Sequence, residues 1–303
     1  MGSILVSGLI NLETTVKIDQ FPIEYRPVRY PFFGVNSTVS GVGYNIAKAL
    51  TTLGAIIHFV SMTGRDLIAR QVMDQPKADG IPSGFVIGEL EQTPCSAILY
   101  DPSGKRMINV DLKDVQERAY PEVLFDQAAH GASLAVLCNI NFSRPFLRKM
   151  RECGVPIATD VHAIASLDDE YNRDFMAAAH LLFMSDEALP CPPDTWVRQL
   201  WDRYGTEIAV VGLGSQGALL AVRRDGFIER VPAVQTRPVV NTIGAGDALF
   251  SCFVYHYQQT GDPYLAIKKA VVFASYKIGT AGAAEGFLDA AGLDRLYAEV
   301  AAR

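Results

Sequence analysis

Val240-Asn241-Thr242-Ile243-Gly244-Ala245-Gly246-Asp247-Ala248-Leu249-Phe250 is the stretch from which the fold is read. Asn241 and Thr242 are residue types that end an extended run and cap the next element. Gly244, Ala245 and Gly246 carry almost no side chain, so a ligand can approach their backbone N–H groups closely. Neither Pro nor a further Gly occurs between Asp247 and Tyr257, which predicts a helix starting at the glycines and running inward. The unpaired N–H groups and positive dipole end of such a start attract anions. Asp247 then has two readings. It is a carboxylate that stabilises a helix start, or a base beside a transferring phosphoryl group, as phosphoryl transfer to an alcohol requires.

A second glycine-bearing helix start lies upstream, in Ser40-Gly41-Val42-Gly43-Tyr44-Asn45-Ile46-Ala47-Lys48-Ala49-Leu50-Thr51-Thr52-Leu53-Gly54. Ile46, Ala49, Leu50 and Leu53 share one helical face, and Gly54 is placed to end the helix. Gly41 and Gly43 again bring bare backbone to a helix start. Asn45, in the first turn, either caps the helix or donates and accepts toward a ligand hydroxyl. Earlier still, Ile4–Ser7 reads as a buried strand, the first of the chain. Asn11 and Glu13 follow its tip, where ligands collect in open parallel sheets. Solvent exposure in a loop is the plainer reading of that pair.

Working outward, Thr14–Ile18 and Arg26–Tyr30 alternate like half-exposed strands, and Pro22, Pro27 and Pro31 confine them to edges. Ser96–Tyr100 and Lys105–Val110 flank the turn sequence Asp101-Pro102-Ser103-Gly104. Together these regions predict a small sheet over about 14–40 and 93–111, acting as a lid. From residue 134 onward, strand-like runs (134–137, 156–159, 181–184, 208–212) alternate with helical stretches such as 145–152 and 194–204. The implied fold is α/β: a doubly wound, mostly parallel sheet flanked by helices in a single domain, 1–303. Gly212-Leu213-Gly214-Ser215-Gln216-Gly217 matches a dinucleotide fingerprint literally, but strand-like Ala218–Val222 comes next where that fingerprint needs a helix. These glycines therefore predict a β-hairpin. Tyr264–Gly279 and 292–303 read as helices, and the small-residue loop 279–284 either admits an adenine ring or turns tightly.

The 303 residues, 49% hydrophobic with a net charge of −6, suit a soluble globular protein and disfavour a nucleic-acid partner. No apolar run approaches the roughly 18 residues that span a bilayer. The five scattered cysteines read as reduced cytoplasmic thiols, and the five histidines share no metal-ligand spacing.

With both glycine-rich stretches in order, some two hundred residues apart, the chain resembles the ribokinase-like (PfkB) family of sugar and nucleoside kinases. That resemblance implies a ribokinase-like fold with a β-lid, which in several members also forms a dimer contact. It implies that Asp247 is the catalytic base and that the N–H groups of Gly244, Ala245 and Gly246 form the anion hole. Asn11, Glu13, Gly41, Gly43 and Asn45 match positions that hold the phosphoryl acceptor. Asp186, Gly214, Gly217, Thr242 and Ser275 fall on the nucleotide side. ATP with Mg²⁺ is the implied cofactor, the ion held largely by water and phosphate oxygens. Glu13 stands where Asp is usual, and Asp186-Glu187-Ala188-Leu189 lacks the final Glu of the family's N-x-x-E stretch. Asn241 replaces the usual Asp before the Thr, which leaves dependence on a monovalent cation open. Cys138-Asn139-Ile140-Asn141 and the Gly41–Ala47 run are similar to pseudouridine-kinase members. This adds Asn141 to the acceptor side and sets a nucleoside beside a sugar; Phe32, Phe33 and Tyr44 either stack its base or serve in packing. A non-catalytic nucleotide or sugar sensor of the same fold is the alternative from another class.

Overall fold

A computed structural model describes residues 2–302. Met1 lies outside the described residues, as does Arg303, with which the expected last helix ends. In chain order the strands are β1 (Ser3–Ser7), β2 (Asn11–Lys17), β3 (Val35–Ser40), β4 (Ile57–Thr63), β5 (Phe85–Gly88), β6 (Cys95–Tyr100) and β7 (Arg106–Asp111). They continue with β8 (Ala132–Leu137), β9 (Ile157–Ala163), β10 (Leu181–Ser185), β11 (Ile208–Gly212), β12 (Ala218–Val222) and β13 (Phe227–Val231). The helices are α1 (Val42–Thr52), α2 (Leu67–Ala78), α3 (Glu122–Ala129), α4 (Arg144–Glu152) and α5 (Arg173–Ala178). After them come α6 (Pro193–Tyr204), α7 (Ala245–Thr260), α8 (Pro263–Lys277) and α9 (Ala290–Ala301).

The described residues form a large sheet in the order β13-β12-β11-β10-β9-β8-β1-β4-β5 and a small one in the order β3-β2-β6-β7. From β11 to β5 the large sheet is parallel, and β12 and β13 close one edge antiparallel. Both faces of the parallel strands are apolar, so each face must be covered. Ile4 and Val6 of β1 pack with residues of α1, α2, α7, α8 and α9, while Leu5 between them joins the side of α3 to α6. The same alternation separates Val210 from Ala209 and Val211. Burying one such Val, Leu or Ile side chain contributes about 1.5–3 kcal/mol. Among the described residues no helix is long and apolar enough to cross a membrane.

The order of the strands positions the site. From β1 the chain leaves to β4 on one side and returns to β8 on the other. A ligand crevice opens at such a switch, beyond the carboxyl ends of the strands. The small sheet stands over this end, fixed by Ile98 of β6 against Ile243 and Ala283.

Several local expectations are corrected. Arg26–Tyr30 is irregular; the strand of this region is β3, and the prolines leave 18–34 as a surface loop with Tyr25, Tyr30, Phe32 and Phe33 exposed. Asn11 and Glu13 lie on β2, not in a loop, and both are buried. Tyr44 is no base platform. Its ring is fully buried and its hydroxyl donates to Asp79. The Gly212–Gly217 stretch is a hairpin turn as expected, with Gly212 opposite Ala218.

Candidate active site

Two helix starts converge at the switch point. At the first, Gly41 adopts φ 106°, a backbone conformation that side-chain-bearing residues avoid. A β-carbon there would sit 2.6 Å from the Leu9 carbonyl oxygen, and one on Gly43 would collide with the backbone of Gly8. This close approach seats Asn45, 4% exposed, beside the tip of β1. At the second start, Gly244 has φ 75°, and a β-carbon would lie 2.5 Å from the Ala283 carbonyl oxygen. Gly246 differs, because the position of its missing side chain faces open space.

Asn45 Nδ2 donates to Asp247 Oδ2 at 2.7 Å, joining residues 202 positions apart in the chain. The Ser40 hydroxyl lies 3.1 Å from Glu13 Oε2 and 3.2 Å from Asn45 Oδ1. Asn11 Nδ2 donates to Ser96 Oγ of β6 at 3.2 Å. Glu13 Oε1 and Asn11 Oδ1 are buried and have no hydrogen-bond partner. An unsatisfied buried polar group costs about 1–3 kcal/mol, so this pair retains unused acceptor capacity.

The carboxyl groups are tuned by their surroundings. Burial raises the Asp247 pKa, and the Asn45 amide and the charges of His162 and Lys277 oppose it. Glu13 is likewise raised by burial, against the Ser40 hydrogen bond; Asp247 pushes it further up, and Lys277 opposes. Lys277, at the end of α8, is brought down to about 8 by burial, opposed by the Asp247 and Glu13 carboxylates.

The N–H groups at the start of α7 are not equivalent. That of Ala245 donates to the Thr242 carbonyl at 3.2 Å, so it closes the turn made by left-handed Gly244. Those of Gly246 and Asp247 belong to the first helical turn, which has no side-chain cap.

Among the remaining predicted residues, Thr242 Oγ1 accepts from Arg106 Nη1 at 2.8 Å, and Arg106 Nη2 lies 4.0 Å from Glu187. Asp186 and Gly214 occupy the neighbouring tips of β10 and β11; Asp186 N–H donates to the Gly212 carbonyl. Gly217, at φ 99°, is pressed against the backbone of 231–233. Ser275 Oγ donates to the Val234 carbonyl at 2.6 Å and accepts from Thr236 N at 3.2 Å, tying α8 to the loop before the signature. Asn141 is not drawn into the Asn45–Asp247 cluster. It donates from its amide to the Gln116 carbonyl and accepts from Arg144. The 279–284 loop is a packed turn: Gly279 abuts the Arg237 guanidinium, which stacks 3.7 Å from the Tyr276 ring centre.

Two residues of this neighbourhood, Arg106 and Lys277, belong to no motif that sequence reasoning picks out. Arg106 is one of many charges in a strand pattern, and Lys277 ends an apolar helix where a basic residue is ordinary. A lysine inside that helix's buried stripe is the signal that could have found it.

Named kinases are among the proteins that this chain resembles in sequence and in fold. A microbiome-derived acarbose kinase superposes with a TM-score of 0.87 at 26% identity, covering 98% of this chain and 99% of that one. A Burkholderia thailandensis nucleoside kinase in complex with inosine shares the fold (TM-score 0.81, 18% identity, 99% of each chain). Acarbose 7(IV)-phosphotransferase of an Actinoplanes species is 25% identical over 297 residues, 96% of this chain and 97% of that protein. The chain belongs to the pfkB family of carbohydrate kinases, whose model matches residues 4–290.

Proposed function

We propose that this kinase transfers the terminal phosphoryl group of ATP to a primary hydroxyl of a sugar. The observation that carries the reading is the 2.7 Å bond from Asn45 to Asp247. It supports the reading by joining Asp247, the acidic residue of the first α7 turn, to the first signature, whose residues would hold the acceptor. With Oδ2 engaged by Asn45, Oδ1 of Asp247 is left to accept the acceptor's proton. General-base help of this kind is worth about 10²–10⁴-fold. The raised pKa makes Asp247 a stronger base than an ordinary aspartate.

The N–H groups of Gly244 and Gly246 and the dipole of α7 bind the transferring phosphoryl group, with space for it over Gly246, while that of Ala245 stays with the Thr242 carbonyl. Bound ATP supplies that group, and Mg²⁺ neutralises its charge. An Mg²⁺ ion entering with ATP would be held largely by phosphate oxygens and water. Asp186, Gly214 and Gly217 flank the nucleotide, and Ser275 its base. Asn11 Oδ1 and Glu13 Oε1 accept from sugar hydroxyls, and Asn45 and Ser40 complete a polar pocket. The small sheet acts as the lid over this pocket, and its exposed aromatic loop is the surface for a second copy of the chain.

A sugar is preferred to a nucleoside because the pocket is lined by hydroxyl, amide and carboxylate groups, while Tyr44 is sealed in the core. ADP release measured across a panel of sugars, sugar conjugates and nucleosides tests this. Turnover of a sugar is expected. Turnover confined to nucleosides would reassign the pocket, and no turnover of any member would favour the sensor.

A further inference from the structure

Lys277 is fully buried, with none of its surface exposed. Lysine is almost never in this position unless paired, because withdrawing an ammonium from water costs several kcal/mol. Yet among the described residues no carboxylate forms an ion pair with it. Its hydrogen bond goes to the backbone carbonyl of Ile243, the residue before Gly244. Asp247, Glu13 and Glu285 act on its charge from further off, and Arg106 opposes them. A methionine or leucine would fill the same space without the desolvation cost, so packing does not account for the charge.

The surrounding turn is otherwise neutral. Asn241 Nδ2 donates to the Ala281 carbonyl at 3.0 Å, and Asn241 Oδ1 accepts from Ile243 N at 2.6 Å. A free monovalent cation at this turn, which the resemblance to the family raised, does not fit these residues. The expected carboxylate is an amide with both ends engaged, and a positive charge already rests on the Ile243 carbonyl.

We propose that the Lys277 ammonium is a tethered monovalent cation, supplying the positive charge at the 241–247 turn from within the chain, so that turnover needs no potassium or ammonium ion. Lys277 touches neither substrate nor nucleotide in this scheme; it is a positioning residue. It holds the Ile243 carbonyl, fixes the turn into Gly244, and adds its field to the anion-binding backbone and to ionised Asp247. The proposal rests on the reading of residues 244–246 as the phosphate site.

The test is a salt series at constant ionic strength combined with two substitutions. Initial rates of the natural protein in choline, sodium, potassium and ammonium chloride are expected to agree within about twofold. Lys277→Ala vacates the position, and kcat/KM is expected to fall about a hundredfold. Potassium, ammonium or methylammonium should then recover about tenfold of it, and raise the melting temperature of the variant but not of the natural protein. Lys277→Met fills the space without charge and should show the loss with no rescue. Several-fold activation of the natural protein by potassium over choline would overturn the proposal. So would a folded Lys277→Met enzyme with near-normal turnover, or a folded Lys277→Ala enzyme that no cation restores. If neither variant folds, the salt series alone decides. The phosphate-site reading fails separately, if an ATP analogue binds the natural protein and Gly246→Ala equally well.

Discussion

The two glycine-rich helix starts look alike in sequence and differ in structure. At α1, the absent side chains of Gly41 and Gly43 are replaced by the protein's own backbone, residues 8–10. At α7, Gly244 is likewise pressed against Ala283, but nothing lies within 4 Å of a β-carbon built on Gly246. The first start is filled from within and serves to bring Asn45 to the tip of β1. The second keeps a space next to uncapped N–H groups, which is what a phosphate requires. Glycine in a motif therefore marks close approach, and only the surroundings tell whether the visitor is the chain or a ligand.

This contrast can be broken experimentally. Asp247→Asn, which keeps the Asn45 contact but removes the proposed base, is expected to lower kcat at least about a hundredfold while ATP-analogue binding and melting temperature persist. Near-normal turnover would refute the assigned role. Gly43→Ala should act on stability: the collision with Gly8 is expected to cost about 1–3 kcal/mol in denaturant unfolding, with lower yield of folded protein. Gly246→Ala should do the opposite. An alanine in the first turn of a helix leaves stability unchanged or raises it by up to about 1 kcal/mol. Its methyl group enters the space proposed for the phosphate, so the KM for ATP should rise about tenfold. A Gly246→Ala enzyme that unfolds, or a Gly43→Ala enzyme that does not weaken, would erase the distinction.

The smallest effect expected is on pH dependence. Asp247 has a raised pKa, so its basic form is lost, as pH falls, at a higher pH than for an ordinary aspartate. Lys277 loses its charge as pH rises through about 8. The kcat/KM profile should therefore descend on its alkaline side near 8, a limb absent from Lys277→Met. Stability moves the other way for this one group. Between about 8 and the ordinary lysine range the unfolded chain binds more protons than the folded one, so the Lys277 contribution to stability rises with pH. Parallel melting and rate profiles separate the two.

Much of the fold was legible in the sequence because local signals were strong. The apolar runs that became β8, β10, β11 and β12 could be buried only in a sheet covered on both faces, and the Gly244–Asp247 run announced the α7 start. The α2, α3 and α5 helices and the short β5 carry no comparable signal. The amphipathic pattern of α2 is interrupted by Pro76, and α5 spans only Arg173–Ala178. The β3 strand, Val35-Asn36-Ser37-Thr38-Val39-Ser40, is mostly polar and exposed, and takes its register from β2. Within the candidate site, Asn45 and Asp247 were recognisable one at a time, but their contact was not. The buried ammonium of Lys277 escaped because burial is a property of three dimensions, and a lysine near a helix end looks ordinary in one.

The Asn45–Asp247 bond also bears on the chain as it is being made. Asn45 leaves the ribosome early, with most of the chain still to be translated, and its partner arrives only when α7 is synthesised. On the proposed role of Asp247, a nascent or C-terminally clipped product lacking α7 has neither the base nor the phosphate-binding helix start, whatever it has already folded.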